Sequence, residues 1–484
     1  VIENRTSLTK KYPITLSENF NRVIFAQVIV NHFAFSFSIG ITLYMISNYR
    51  NYWLIGSITF VVAIVFISEW INTMKFILIP IGFRHTAILI VFFTNWMIFG
   101  RGVKLSKYYS LVLFLMIFYL FISYSFLIVK TYNYILGFGF TFLFLLMFII
   151  GSNTRSSENT VMNIFYAILI LLVLMSIVPI FQALYLNITL RDKFGLFREA
   201  GAFGTAMNIG VIISIALFIS TSKRRFIIVA MFFSVGVLLT ILKKSIIGNL
   251  LIWIGYFIFI TSKNKRIVIF TAGLVILIIA YFFIGNKFII DVNLNMEYLN
   301  QVGFNKHVRL GMYIAGFNIA SDYFPLGSGL GTFGSLASII NGYSDIYIKY
   351  GISQIGYNSQ YDVATGHFTI LDTYWPHIIG ELGFIGSCLF LYLWLFPLFI
   401  PIKILRKCKD PRIRAFCFYI IFVILLMTND GFSLYIPEIP SFVVLHSGIS
   451  GLCYYHIIRY YKKNSQTKVQ FDKDIIPMLN ENAK

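Results

Sequence analysis

The sequence predicts an all-α polytopic membrane protein, and three observations carry that prediction. Of 484 residues, 58% are hydrophobic and 12% charged, against about 45–50% and about 25% in soluble domains. Mean hydropathy is +0.80. Apolar runs close to the roughly 20 residues that a spanning helix needs recur along the chain. They fall near 23–47, 52–70, 75–99, 108–129, 132–151, 160–182, 204–221, 225–242, 245–262, 266–285, 378–402, 414–429 and 435–459, which gives about 12–14 helices. The 51 Phe and 30 Tyr suit lipid tails and headgroup belts. No internal repeat stands out, so residues 1–484 read as one integral membrane domain. The run from Val23 exceeds a secretory h-region and has no small-residue cleavage site after it, so no cleavable signal peptide is expected.

Net charge is +20, which in a soluble protein would raise nucleic acid as a partner. In a membrane chain the positive-inside rule accounts for it, and no nucleic-acid partner is expected. "RYYKK" (459–463) and "KILRKCKDPRIR" (403–414) are set inside. Alternation then also places "SKNKR" (262–266), "SKRR" (222–225) and "RGVKLSK" (101–107) inside. The alternation fails at the start, where Arg5, Lys10, Lys11 and Arg22 would fall outside. "ILIPIGFRH" (77–85), interrupted by Pro80 and Arg84, is the suspect span.

Two outward segments follow, 184–203 and the long polar 286–377, which is too long for a plain connector. Residues 464–484 form a polar cytoplasmic tail whose "DKD" has nothing nearby to build a metal site with. Cys388, Cys408, Cys417 and Cys453 form no CxxC, so neither a metal site nor a disulfide framework is expected. His32 and His446 are isolated in apolar runs and read as structural.

The informative charges are cations on the outward side: Arg191, Lys193, Arg198, Lys243, Lys244 and Arg309. They bind either lipid phosphates or a phosphorylated substrate, for which the planar fork of Arg is suited. Residues 306–321 read as a short amphipathic helix. Val308, Met312 and Phe317 share one face, Arg309 and Tyr313 another. The glycines of "FPLGSGLGTFG" (324–334) either cradle a phosphate or make plain turns. Tyr343, Tyr347, Tyr350, Tyr357 and Tyr361 suit sugar rings or a headgroup belt equally well. In "DTYWPHIIGELGFIG" (372–386), Pro376 fits the first turn of a helix, capped by Asp372 or Thr373. His377 and Glu381 stand four apart on that helix, a functional site or a structural pair.

Four segments in this order resemble the O-antigen polymerase and ligase superfamily of the bacterial inner membrane, in the glycosyltransferase C class. "FREAGAFGTAMNIG" (197–210) resembles its Arg-x-x-Gly-x-Phe segment. "LLTILKKSIIG" (238–248) resembles a segment that usually ends in Ser-Arg. "RLGMYIAGFNIASDYFPLGSGLGTFG" (309–334) resembles its Arg-started helix and Pro-x-Gly-x-Gly turn, and 372–386 its closing Glu-x-Gly-x-x-Gly. The resemblance covers about 180–400. It implies inverting, metal-independent glycosyl transfer from an undecaprenyl-pyrophosphate-linked oligosaccharide at the periplasmic face, with no cofactor and with a chain-length regulator as a further partner. Arg198 and Arg309 would bind pyrophosphate, with Lys243, Lys244 and Arg191 in support and Tyr313 beside them. Ligases carry a His followed by Asn or Ser eleven residues before the first glycine of the closing pair. Counting back from Gly383 reaches Asp372, then Thr373. The ligase signature is therefore unmet and the polymerase branch is favoured, with Asp372, His377 and Glu381 as catalytic candidates alongside Arg309. A ligase is the runner-up. A lipid-linked glycan flippase is the alternative from another class; it would show repeats and ionisable groups near the bilayer midplane.

Overall fold

The computed structural model describes residues 54–58, 90–91, 93–97, 107–126, 131–185, 200–260, 308–335, 337–338, 344–350, 352, 373–432 and 445–463. The chain forms two compact units, 1–57 and 58–484. In the first, Leu54–Ser57 are helical. The fold and the site described below lie in the second.

The described residues form helices and connecting turns, without a strand, as expected of a polytopic membrane protein. The helices are α1 (Lys107–Phe126), α2 (Thr131–Asn153), α3 (Glu158–Tyr185), α4 (Ala200–Thr221), α5 (Arg225–Leu239), α6 (Lys243–Phe259), α7 (Val308–Asp322), α8 (Ile346–Lys349), α9 (Trp375–Leu395), α10 (Phe399–Leu405) and α11 (Pro411–Gly431). A final helix, α12, covers 445–463. Among the described residues five runs are long and apolar enough to cross a membrane: Lys107–Phe126, Glu158–Ile177, Gly201–Thr221, Trp375–Leu405 and Pro411–Gly431. α2 adds a sixth if its halves, which meet at 44°, count as one span. The sequence-predicted runs at 108–129 through 245–262, 378–402 and 414–429 each coincide with a helix. Those at 23–47 and 266–285, and most of 52–70 and 75–99, lie outside the described residues.

The spanning helices are apolar on every side, and burial sorts them into core and rim. α4 is the core: 89% of its spanning window is buried, against 28% for α1. α1 packs along one stripe, Tyr109, Met116, Leu120 and Ser123, and turns Leu111, Phe114, Phe118 and Phe121 outward. Between apolar helices in lipid, polar side chains and small residues hold the contacts. Asn208 on α4 donates to Ser245 O on α6 (2.9 Å) and accepts from Asn249 (3.0 Å). The Ser234 hydroxyl of α5 accepts from Trp253 of α6 (2.9 Å). α2 and α12 cross backbone to backbone, because a side chain on Gly151 would strike Gly448 O and one on Gly451 would strike Phe148 O.

The basic helix ends gather at one end of the bundle. Arg412 lies 3.7 Å from Glu158, Ser156 is 3.0 Å from His456, and Arg406 sits over Phe259 at 5.1 Å. Asp410 caps α11 there by accepting from Arg412 N–H at 2.8 Å, with Pro411 in the first turn. The candidate site lies at the opposite ends of α4, α6 and α11.

Candidate functional site

α9 is broken by one residue. Gly383 has φ 63° and ψ −177°, a conformation nearly closed to other residues. The chain turns back there. In a straight helix Trp375 and Trp394 would stand about 28 Å apart, yet their rings lie 5.9 Å apart, and Tyr374 reaches Phe390 at 6.2 Å. Ser387 Oγ donates to Ile378 O at 3.0 Å across the fold. The sequence-predicted span at 378–402 is therefore corrected. Residues 375–382 form a short return arm, and 384–405, about 33 Å at 1.5 Å per residue, is the arm available to cross. A hydropathy run cannot reveal the break, because both arms are apolar.

Breaking a helix frees carbonyls that hydrocarbon cannot satisfy. The glycine loop after α7 satisfies them. Ser328 N–H donates to Gly380 O (2.9 Å) and Gly329 N–H to Glu381 O (3.0 Å). Tyr119 Oη of α1 lies 2.6 Å from Leu382 O and 2.9 Å from Pro325 O, so its one proton is within reach of both. Gly327, Gly329, Gly331 and Gly334 all have positive φ, which lets the loop wind this tightly.

The same loop holds His377 and Glu381. Glu381 Oε1 accepts from Phe333 N–H (2.8 Å) and Ser335 Oγ–H (2.9 Å), while Oε2 lies 3.2 Å from His377 Nδ1. Both side chains are 0% exposed. The pair braces the helix against the loop, with both side chains withdrawn from the surface. The loop glycines likewise make turns. Residues 327–335 are buried, and the N–H groups of Gly327, Ser328, Gly329, Phe333 and Gly334 are spent on protein acceptors.

The last turn of α11 is the meeting point. Thr428 O accepts from Trp375 Nε1 (3.1 Å), and Thr428 Oγ1 accepts from Trp394 Nε1 (2.9 Å). Asn429 donates to Lys244 O at 3.1 Å. Asp430 accepts from Thr205 Oγ–H at 2.6 Å, Gly431 O from Tyr374 N–H at 2.9 Å, and Phe432 O from Tyr313 Oη–H at 3.3 Å. One turn thus joins α4, α6, α7 and the start of α9. Burial pushes the Tyr313 hydroxyl up to about 12.

Of the residues named from sequence, Lys244 and Tyr313 meet at this turn, and Lys243 opens the same helix as Lys244. Arg309 lies in the first turn of α7, one turn before Tyr313. Asp372, Arg191 and Arg198 lie outside the described residues, as do Lys193, Tyr343, Tyr357, Tyr361 and the 464–484 tail. Three expectations are corrected. Thr373 makes no cap: Tyr374 is the N-cap of α9, and the cap carries no side-chain hydrogen bond. Phe317 is 48% exposed, because the packed face of α7 is Met312, Ala315 and Ile319. Tyr347 is core, its hydroxyl accepting from Gly334 N–H at 2.6 Å. Tyr350 is half-buried against the edge of the same cluster, its hydroxyl donating to Asp322 at 2.6 Å and the Lys349 ammonium over its ring. The hydrogen bond to the Tyr350 hydroxyl is the main cause of the raised Lys349 ammonium pKa.

Sequence reasoning missed Thr205, Asn429 and Asp430. The available signal was an acid closing an apolar run in "LLMTNDG" (425–431). Among the described residues no cluster of three or more His, Cys, Asp or Glu could hold a metal ion. Neither a family model nor a curated protein matches the chain.

Proposed function

We propose that the protein is a polymerase of lipid-linked glycans, with a glycosyltransferase C-like fold. It would join undecaprenyl-pyrophosphate-linked repeat units at the periplasmic face of the bacterial inner membrane. The observation that carries this reading is the last turn of α11. It ties together three segments chosen from sequence for their likeness to the polymerase and ligase superfamily: the lysine-started α6, the arginine-started α7 and the closing stretch that opens α9. Their meeting point lies at the bundle end opposite the basic, inward-reading ends, as an outward site requires.

In this reading an acceptor sugar hydroxyl attacks the anomeric carbon of the donor. A new C–O bond forms with inversion as the bond to pyrophosphate breaks and its electrons pass to the leaving phosphate oxygen. Arg309, Arg198 and Lys243 stabilise that developing charge, with Arg191 in support. Asp372 takes the hydroxyl proton. His377 and Glu381 are positioning residues, holding the glycine loop against the broken helix. The test is Arg309→Ala in purified protein supplied with lipid-pyrophosphate-linked repeat units. Loss of the glycan ladder with intact expression and melting temperature is expected. A full ladder from the variant would remove Arg309 from the site.

A further inference from the structure

We propose that α7 is seated in the outer leaflet of the bilayer, its exposed stripe of Ile314 and Phe317 against lipid acyl chains and the cluster of Tyr323, Lys349 and Tyr350 at headgroup level. Ile314 and Phe317 are large, apolar and exposed, turned away from the packed face of Met312, Ala315 and Ile319. The stripe is not isolated. The Phe317 ring meets the Phe384 ring at 6.3 Å, and an added Cβ on Gly316 would strike Pro376 O of the return arm. Phe384 and Ile385, also exposed, open the crossing arm of α9. With Cys388, Leu389 and Tyr392 they line an apolar groove against Val112 of α1. The apolar surface of α7 thus continues onto a helix that faces lipid.

Length sets the depth. From Phe384 to Lys403, at the basic end, the crossing arm measures about 29 Å at 1.5 Å per residue, against about 30 Å for the hydrocarbon core. Phe384 therefore stands at the outer edge of the hydrocarbon, and Phe317 stands beside it. Further along α7 the exposed residues turn polar: Asn318, Ser321 and Asp322. The cluster that follows has the make-up of a headgroup belt, in which amphipathic rings and a cation sit at the polar boundary. The Lys349 ammonium lies 4.9 Å from the Tyr323 ring centre, 5.0 Å from that of Tyr350 and 3.6 Å from the Asp322 carboxylate. Exposed Phe324 and Ile348 adjoin it in the chain. An apolar stripe below and polar groups above is the arrangement of a helix lying in the membrane interface. It also gives the exposed Phe317 an occupant for its face.

The test uses the full chain in proteoliposomes, spin-labelled at Cys388 or, in a Cys388→Ser background, at Ile314→Cys, Phe317→Cys or Ser321→Cys. Collision with oxygen, which concentrates in hydrocarbon, is compared with collision with a neutral nickel chelate, which stays in water. The oxygen-to-nickel ratio should be highest at Cys388, and at 314 and 317 it should exceed that at 321 by at least about twofold, because hydrocarbon excludes the polar chelate. Nickel collision as strong at 314 and 317 as at 321 would place α7 in water and overturn the seat. Little collision with either reagent would mean that protein covers the stripe, and would overturn it too. A second readout needs no substitution. A phospholipid with a diazirine on its acyl chain should crosslink to residues 314–317 of the unaltered chain as well as to 384–392. Adducts on 384–392 with none on α7 would contradict the proposal. Neither readout uses a glycan substrate, so both are independent of the proposed function.

Discussion

Gly383→Ala probes the feature on which the site is built. At φ 63° and ψ −177° a non-glycine residue is strained by about 1–3 kcal/mol. The new Cβ would also lie 2.6 Å from Gly327 N and 2.7 Å from Pro325 O, backbone atoms that cannot rotate away. Making room means withdrawing the loop, which strands Gly380 O and Glu381 O at about 1–3 kcal/mol each. A total cost of about 3–9 kcal/mol is expected, a large share of the stability of a typical domain. The assay is thermal unfolding in detergent, with limited proteolysis of the 323–335 loop as a local readout. Gly56→Ala is the control, because its Cβ would meet nothing within 4 Å. The control should be neutral or slightly stabilised by helix propensity. If Gly383→Ala melts with the parent and its loop stays protected, the fold-back at this residue is wrong.

Glu381→Ala removes the acceptor for Phe333 N–H and Ser335 Oγ–H and should cost about 3–5 kcal/mol in melting experiments, while Glu381→Gln, which keeps an Oε1 acceptor, should cost less. A thiol reagent soluble in lipid or detergent should label Cys388, the exposed cysteine, and spare Cys408, Cys417 and Cys453 until the protein unfolds. Mass spectrometry of the labelled peptides reads this out, and burial further slows Cys408 by raising its thiol pKa. The folded Tyr313 pKa of about 12 lies above the ordinary 10, so the folded state holds the phenol proton more tightly. Its contribution is complete below pH about 10 and is lost as pH rises toward 12, so Tyr313→Phe should flatten the stability profile in that window.

Much of the fold was legible because span length and apolar content are one-dimensional properties. α4 through α6 and α11 fall where composition places them, and the helix expected at 306–321 is α7, Val308–Asp322. The clustering of basic ends was legible for the same reason, since charge bias needs no packing information. What escaped depends on single residues in three dimensions. Gly383 reverses the chain within a run that stays apolar throughout. Phe317 fits an amphipathic pattern on paper, yet the packed face of α7 is turned toward Met312 and Ile319. Asp430 is a single acid closing an apolar helix, and its hydrogen-bond partner Thr205 stands 225 residues away in sequence. Tyr347 fits a tyrosine platform in sequence, yet it is buried with its hydroxyl on Gly334 N–H, while half-buried Tyr350 turns its hydroxyl to Asp322.

The proposed function is the elongation of lipid-linked glycans. It is tested most directly in proteoliposomes containing the purified chain and a single undecaprenyl-pyrophosphate-linked repeat unit. The account predicts dimers and longer glycans still attached to lipid pyrophosphate, with one free undecaprenyl pyrophosphate released per linkage formed. Movement of the lipid-linked unit between leaflets without elongation, or product formed only on added lipid A core, would contradict it.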